Sequence, residues 1–485
     1  MSKVIKKTRK EKLKRIKEAG INPYPSESGR THTTEEAVLN FDNLSNNSEE
    51  VVLVGRIRSI RSHGNSTFCH IEDATGSFQV YFKKDELGED SYMFFINNFD
   101  VGDFIETKGS LFITKKGEKT LLVNEYKILS KSLLPLPEKW HGIKETESRL
   151  RKRYLDILFN KEIKEMIEKK SVFWQAARDY HKKAGFLEVE TPILEAATGG
   201  ADARPFKTHY NSLDMDVYLR ISAGELWQKR LMVAGFEKTF EIGRIFRNEG
   251  VSPEHLQDYT QCEAYWAYAD YEDMYKFLRD CLKHAAKEAF GKLDFKIRGM
   301  DVDLGKDWPL LDYTEEIEKQ TKINIWESSE EDLKKKTKEL GVTPEVENRS
   351  RLIDAIWKHC RKNIPGPAIL INLPKSMSPL AKSSSDNKKI VQRFQFIIAG
   401  SEVTNGYSEL NNPIEQKKRF KKQQEMRDAG DEEAQMYDKD FIEALEYGMP
   451  PTAGHGFSER FFAFLMDKPT RECQVFPLMR PKDKQ

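Results

Sequence analysis

The strongest constraint on the fold is the stretch from Thr239 to Glu263, TFEIGRIFRNEGVSPEHLQDYTQCE. It opens with apolar residues set among polar ones (Phe240, Ile242, Ile245), the pattern of a half-buried strand. Arg247 and Glu249 follow two apart and are expected to project from one face of that strand. A polar loop with Gly250 and Pro253 comes next, then a second strand-like run carrying Tyr259 and Glu263. A strand, a charged loop and an antiparallel return strand bring a cation, carboxylates and an aromatic face to one surface. That combination suits a phosphate, an amine and a purine. Arg-x-Glu alone describes a solvated surface hairpin equally well, so the remainder of the chain has to decide.

A chain of 485 residues holds two or three domains, and 38% hydrophobic with 32% charged residues gives a large core under a heavily charged surface. No apolar run approaches membrane-spanning length, and the basic N-terminus is not followed by the hydrophobic segment of a secretory signal. Cys69, Cys262, Cys281, Cys360 and Cys473 are scattered and lack Cys-x-x-Cys spacing. They read as reduced thiols of a cytoplasmic protein, not as a zinc site or a disulfide frame. A net charge of +1 leaves the partner open, because local patches matter more than the sum.

Residues 1–48 form a basic arm. Lys3 to Lys17 is dense in Lys and Arg, which describes either a helix lying along a polyanion or a solvated arm; Gly20 and Pro23 end it. From Val51 to Leu129 five short strand-like runs are separated by turn signals at His63-Gly64-Asn65, Ala74-Thr75-Gly76 and Lys116-Gly117. This pattern predicts a small OB-fold barrel over 49–137 that binds single-stranded nucleic acid. There Phe68 offers a stacking face and Gln79 an amide for a base edge, although an isolated Phe in a barrel is more often core. Pro135 and Pro137 stiffen a linker over 138–150. The remainder, 151–485, reads as one domain with a charged α-helical insertion at about 301–365 in which no chemistry is evident. Apolar spacing at Met166, Ile167, Val172, Phe173, Ala176 and Ala177 predicts a long helix, followed by a strand, GFLEVETPIL, closed by proline.

Taken together these segments resemble the class II aminoacyl-tRNA synthetases. The long helix and strand are similar to their motif 1, a dimer interface. Phe246-Arg247-x-Glu249 with its loop and Tyr259 is similar to motif 2. GHGFSER, ending in Glu459-Arg460, is similar to motif 3, with Gly454 and Gly456 read as a tight backbone before a helix. The linker LPEKWHG with Arg153-Tyr154-Leu155-Asp156, the loop Thr198-Gly199-Gly200-Ala201 with Ala203-Arg204-Pro205-Phe206, and Ser378 to Lys382 resemble the lysyl-tRNA synthetase branch in particular. The resemblance implies an α+β protein: an N-terminal OB-fold barrel plus a catalytic domain built on a mostly antiparallel sheet flanked by helices, acting as a homodimer.

What the resemblance implies chemically follows residue by residue. The reaction would be ATP-dependent attachment of L-lysine to tRNA(Lys) through a lysyl-adenylate, with Mg²⁺ as the metal. Arg247 and Arg460 would be the catalytic cations, Arg247 bridging the amino-acid carboxylate and the α-phosphate and Arg460 holding the γ-phosphate. Glu249, His255, Tyr259 and Glu402 would complete the ATP site. Gly200, Glu225, Tyr265, Asn405 and Glu409 with Arg247 would hold lysine, Glu225 at the α-amino group, Glu409 and Tyr265 at the ε-ammonium. Arg61, Phe68, Gln79 and Glu118 would read the anticodon.

Three positions depart from the family pattern. Gln395 stands where a second Mg²⁺ carboxylate is expected beside Glu402, Glu254 where a loop Arg is common, and Gly224 where a Pro is usual. An aspartyl or asparaginyl enzyme is disfavoured by Glu225 and Glu409, and a tRNA-binding paralogue without activation is the non-enzymatic alternative.

Overall fold

The computed structural model describes residues 2–137, 145–250, 252–342, 344 and 348–481. The linker signature Lys139-Trp140-His141-Gly142 lies outside the described residues. The chain divides into two compact units, Met1–Lys144 and Glu145–Gln485.

In the first unit, strands β1 (Val51–His63), β2 (Ser66–Glu72), β3 (Ser77–Lys83), β4 (Phe104–Ile113) and β5 (Lys119–Ser130) close a barrel in the order β1-β2-β3-β5-β4. Period-two alternation sets the two faces: Cys69, Ile71, Val80 and Phe82 fill the interior, while Phe68, His70 and Tyr81 lie between them in the strand and turn outward. The basic arm is helical over Ser2–Glu18 and is pinned to the barrel by its own cations. Arg9 donates to Val101 O and Leu134 O, and Lys12 meets Asp100 at 2.7 Å beside the buried Lys131–Asp103 pair. Arg9 and Lys12 therefore have a structural use, and it is the outward lysines that remain for a polyanion.

The second unit is organised on a sheet of nine strands among the described residues. Its order is Leu310–Asp312, Ala368–Ile371, Arg393–Ile398, Thr404–Ser408, Thr452–Ser458, Asp258–Ala267, Lys238–Phe246 and Leu187–Glu188, with Ser401–Glu402 paired to Arg393–Ile398. Only the two outermost pairings are parallel, so the sheet is mostly antiparallel. Helices Lys161–Lys183, Tyr271–Phe290 and Glu459–Leu465 pack one face. Glu225–Val233, the insertion helices Tyr313–Thr321, Glu330–Glu339 and Arg349–Cys360, and Lys439–Glu446 pack the other.

Several expectations are corrected here. The strand expected in GFLEVETPIL breaks into two-residue ladders, at Leu187–Glu188 on the main sheet and at Leu194–Glu195 on a separate three-stranded sheet. Val172 is exposed, on the outer side of the long helix. The insertion is not purely helical, since Met300–Asp303 and Leu310–Asp312 are strands and the latter joins the main sheet. The tight backbone expected at Gly454 and Gly456 is an extended strand, Thr452–Ser458, that runs into the helix Glu459–Leu465. Gly224 takes a left-handed φ of +78°, a backbone closed to proline, so this loop departs in shape from the expected one.

Candidate active site

The hairpin Lys238–Phe246/Asp258–Ala267 forms the wall on which the site is built. Side chains alternate along the second strand, so Tyr259, Gln261, Glu263 and Tyr265 share one face while Cys262 and Ala264 enter the core behind. Asn405, Tyr407 and Glu409 repeat this alternation two strands away. Between the two runs lies Thr452–Ser458, with Gly454 opposite Tyr265 and Tyr407, and Gly456 opposite Glu263 and Asn405. A Cβ on Gly454 would stand 2.5 Å from Glu409 Oε1 and 2.6 Å from Tyr265 Cε1. The Gly-x-Gly pair therefore forms the floor of a hollow, which any side chain would fill.

That hollow is a cavity of about 510 Å³ lined by Gly200, Glu225, Arg247, Glu249, His255, Tyr259, Tyr265, Glu402, Asn405, Glu409 and Arg460 among others. Residues expected from five separate segments are thus brought together. Arg247 and Glu249 lie just beyond the strand end at Phe246, not on the strand, although Arg247 N still donates to Gln257 O at 2.8 Å. Arg247 Nε donates to Ile221 O at 3.2 Å, and its guanidinium carbon is 5.8 Å from the Tyr259 ring centroid. Burial opposes its charge, but Tyr259, Glu249, Glu263 and Asp202 together hold its pKa above the ordinary value. Arg247 shares the cavity with two further groups of charged side chains.

On one side is Arg460 with the loop residues Glu254 and His255. Arg460 opens the helix Glu459–Leu465, capped by Ser458. Glu254 sits 3.7 Å from Arg460 and 2.6 Å from Arg298, so the loop carboxylate is neutralised by two guanidinium groups. His255, by contrast, is no cation: burial and Arg460 lower its pKa, and Nδ1 hydrogen-bonds Ser252 Oγ at 2.7 Å. On the other side lies an acidic region of Glu225, Glu263 and Glu409 with the Tyr265 and Tyr407 hydroxyls. Glu263 accepts from Ala223 N at 3.0 Å and from the Tyr265 hydroxyl at 3.2 Å. Burial, with Glu225 adding to it, raises the Glu263 carboxyl, and burial also raises that of Glu409. Asn405 Oδ1 accepts from Arg393 Nε at 2.8 Å, which leaves its amide nitrogen to donate elsewhere. Gly200 has a φ of +91°, and a Cβ there would lie 2.7 Å from Ser222 Oγ.

Gln395 does not line this cavity. It lines an adjoining one of about 840 Å³ that shares Glu402, Arg393, Asp202, Arg351 and Asp354 with the first. Its Nε2 donates to Glu402 Oε2 at 3.0 Å, while Trp357 Nε1 donates to Oε1 at 2.5 Å. Among the described residues no three His, Cys, Asp or Glu side chains are grouped to hold a metal. Trp357 belongs to the insertion, and so do Arg351, Asp354 and Lys358 of the cavity wall. Their three- and four-residue spacing on one helix face was a readable signal. Glu263, Gln261 and Tyr407 were readable too, from period two starting at Tyr259 and Asn405.

On the barrel, Phe68 stacks on Tyr81 with ring centroids 4.3 Å apart and Phe112 stands 6.0 Å from Tyr81. Phe68 is therefore not core. Arg61 is opposite Phe68 across the β1–β2 ladder, and Glu118 meets His70 Nε2 at 3.0 Å. Gln79 is buried, with Nε2 donating to Thr120 Oγ1 at 2.8 Å. Its carbonyl oxygen is not used in that bond.

Residues 145–480 match the class II tRNA synthetases (D, K and N), and residues 51–129 match the OB-fold nucleic acid binding domain. The lysine–tRNA ligase of Thermosipho africanus is 41% identical over 487 residues, covering 99% of this chain and 97% of the relative. That of Thermotoga maritima is 42% identical with the same coverage, and that of Pelotomaculum thermopropionicum 42% over 99% and 95%. With the class II sheet, the barrel and the cavity in place, the chain belongs to the class II tRNA synthetases and, within them, to the lysine–tRNA ligase family.

Proposed function

We propose that the chain joins L-lysine to tRNA(Lys) through a lysyl-adenylate, using ATP and Mg²⁺. The observation that carries this reading is a single cavity that brings Arg247 and Arg460 together with the buried carboxylates Glu225, Glu263 and Glu409. In the first step the lysine carboxylate attacks the α-phosphate and pyrophosphate leaves, so two anions must meet while charge builds on phosphorus. Arg247 bridges the two reactants, Arg460 holds the γ-phosphate, Tyr259 stacks on adenine, and Glu249 and His255 flank the nucleotide. Glu225 receives the α-ammonium, Glu409 and Tyr265 the ε-ammonium, and Asn405 lies beside the carboxylate, with Gly200 allowing close approach of the loop. Lysine-dependent ATP–pyrophosphate exchange is the decisive assay; its absence from folded protein would overturn the reading.

Glu402 and the amide oxygen of Gln395, turned about its terminal bond, suit Mg²⁺, which takes one or two protein oxygens and completes its shell with phosphates and water. When bound, the ion would neutralise phosphate charge. Both Glu402 oxygens are engaged by Trp357 and Gln395, and only one of the pair carries charge. Gln395→Glu is therefore expected to lower the Mg²⁺ concentration for half-maximal exchange several-fold; superimposable Mg²⁺ titrations would refute this.

The barrel supports anticodon reading by Arg61, Phe68, Gln79 and Glu118, with the Phe68–Tyr81 stack as platform. Phe68→Ala should weaken tRNA charging by about tenfold or more, the worth of one base stack, and leave pyrophosphate exchange unchanged. Equal loss in both assays would make Phe68 structural. Val172, Leu187, Ile193 and Leu194 are exposed apolar side chains along the motif 1 segment. We assign them to a homodimer interface, which a solution mass of one chain would exclude. No described helix is long and apolar enough to cross a membrane, and all five cysteines are free and buried. Both facts support a place in the cytoplasm with the translation machinery.

A further inference from the structure

One charged side chain at the amino-acid end of the cavity has no part in the roles above. Lys229 lies one turn beyond Glu225 on the helix Glu225–Val233 and is 1% exposed. Its ammonium is 2.6 Å from Glu225 Oε1 and 2.5 Å from Glu409 Oε2. The Tyr407 hydroxyl donates to the same Glu225 oxygen. Glu225, Glu409 and Tyr407 line the cavity; Lys229 stands behind them and does not. The ammonium is further enclosed by the rings of Tyr407, Tyr265 and Phe441 at 5.4, 5.8 and 6.0 Å. The remaining acid nearby on the Tyr265 strand is Glu263, bonded to the Tyr265 hydroxyl. At the start of the Phe441 helix, Asp438 is taken by Arg230 at 2.7 Å.

We infer that Lys229 is a positioning and specificity residue: a built-in ammonium that ties together the carboxylates for the two ends of the substrate and favours their ionised form before the diamine arrives. This inference rests on the assignment of Glu225 and Glu409 to lysine. Three carboxylates in one buried hollow cannot all stay charged unaided, because each raises the proton affinity of the others. One fixed ammonium cancels one charge, and the two that remain match the two ammonium groups of lysine. A substrate with a neutral side chain would leave one carboxylate uncompensated. The same bridge fixes the Glu225–Glu409 separation, and so the length of diamine that fits. Lys229 itself stays charged, since the two carboxylates outweigh the burial that would otherwise lower its pKa.

The test is the KM for lysine in pyrophosphate exchange at saturating ATP, between about pH 6.5 and about pH 9. In the wild type KM should fall as pH rises and the remaining carboxyls ionise. Lys229→Met should raise KM at neutral pH by about 10²-fold and shift that limb upward by about one pH unit, because the carboxyls lose their counter-ion. The KM for ATP should stay within about twofold, since no ATP contact is altered. Lys229→Arg, which restores the charge, should return the limb to its wild-type position. An unchanged lysine KM in Lys229→Met would overturn the inference. So would parallel rises in both KM values with an unmoved limb, the mark of a purely structural lysine. Should the Met variant fail to fold, Lys229→Arg decides alone: a displaced limb, or lysine and ATP affected equally, counts against it. Wild-type protein without lysine-dependent exchange would instead remove the functional reading on which this one stands.

Discussion

Arg247→Ala is expected to lower kcat for lysine-dependent pyrophosphate exchange by about 10³-fold, with kcat/KM falling alongside. The guanidinium uses Nε on the Ile221 carbonyl, which leaves the two terminal nitrogens of the fork for ligands. A planar fork can hold two anionic oxygens at fixed separation, here one from each reactant. Each lost charge-assisted hydrogen bond costs about 1.5–3 kcal/mol, and two of them account for roughly three decades. Arg247→Lys keeps the charge but loses the fork, so it should recover about one decade only. Anticodon-dependent tRNA binding resides on the barrel and should not change in either variant. Exchange within tenfold of wild type for Arg247→Ala would show that the two reactants are brought together by other groups.

The parts of this site that could be read from the sequence are those whose chemistry sits on a regular element. Tyr259 follows from the strand-like return run, while Tyr265, Glu409 and Arg460 come from the family resemblance and fall on regular elements or directly at their end. What escaped reading depended on neighbours remote in sequence. Gly454 reads as part of a tight backbone before a helix until the register sets it opposite Tyr265 and Tyr407, where it becomes the floor of the cavity. The insertion helix looked inert because Arg351, Asp354 and Lys358 acquire meaning only when that helix is packed over the cavity. The lowered pKa of His255 was not legible either, since burial and Arg460 are tertiary effects. Phe68 was ambiguous for the opposite reason: alternation is clear in β2, but its phase relative to the barrel axis is fixed by closure of the barrel.

Glu409→Gln should raise the KM for lysine by about 10²- to 10³-fold while the KM for ATP changes little. Two effects add. The amide cannot compensate an incoming ammonium, and Lys229 is left with Glu225 as its one close carboxylate, so that carboxylate is drawn away from the α-amino group it would serve. Removing one partner of a buried pair costs about 3–5 kcal/mol, more than a surface pair ever returns. The sharper readout is discrimination against norleucine, which shares the carbon chain of lysine and lacks the second ammonium. Wild type should prefer lysine by several decades and Glu409→Gln by about 10²-fold less, because the rejected analogue no longer leaves a buried charge unpaired. The pH response supplies an independent check. Burial, only partly offset by Lys229, raises the Glu409 carboxyl. The ionised form that binds ammonium is therefore gained as pH rises and lost as pH falls. Glu409→Gln should flatten this part of the lysine KM profile, leaving the portion that belongs to Glu263. Preserved preference for lysine over norleucine would place recognition of the ε-ammonium on another carboxylate, with Glu263, bonded to the Tyr265 hydroxyl, the next to substitute.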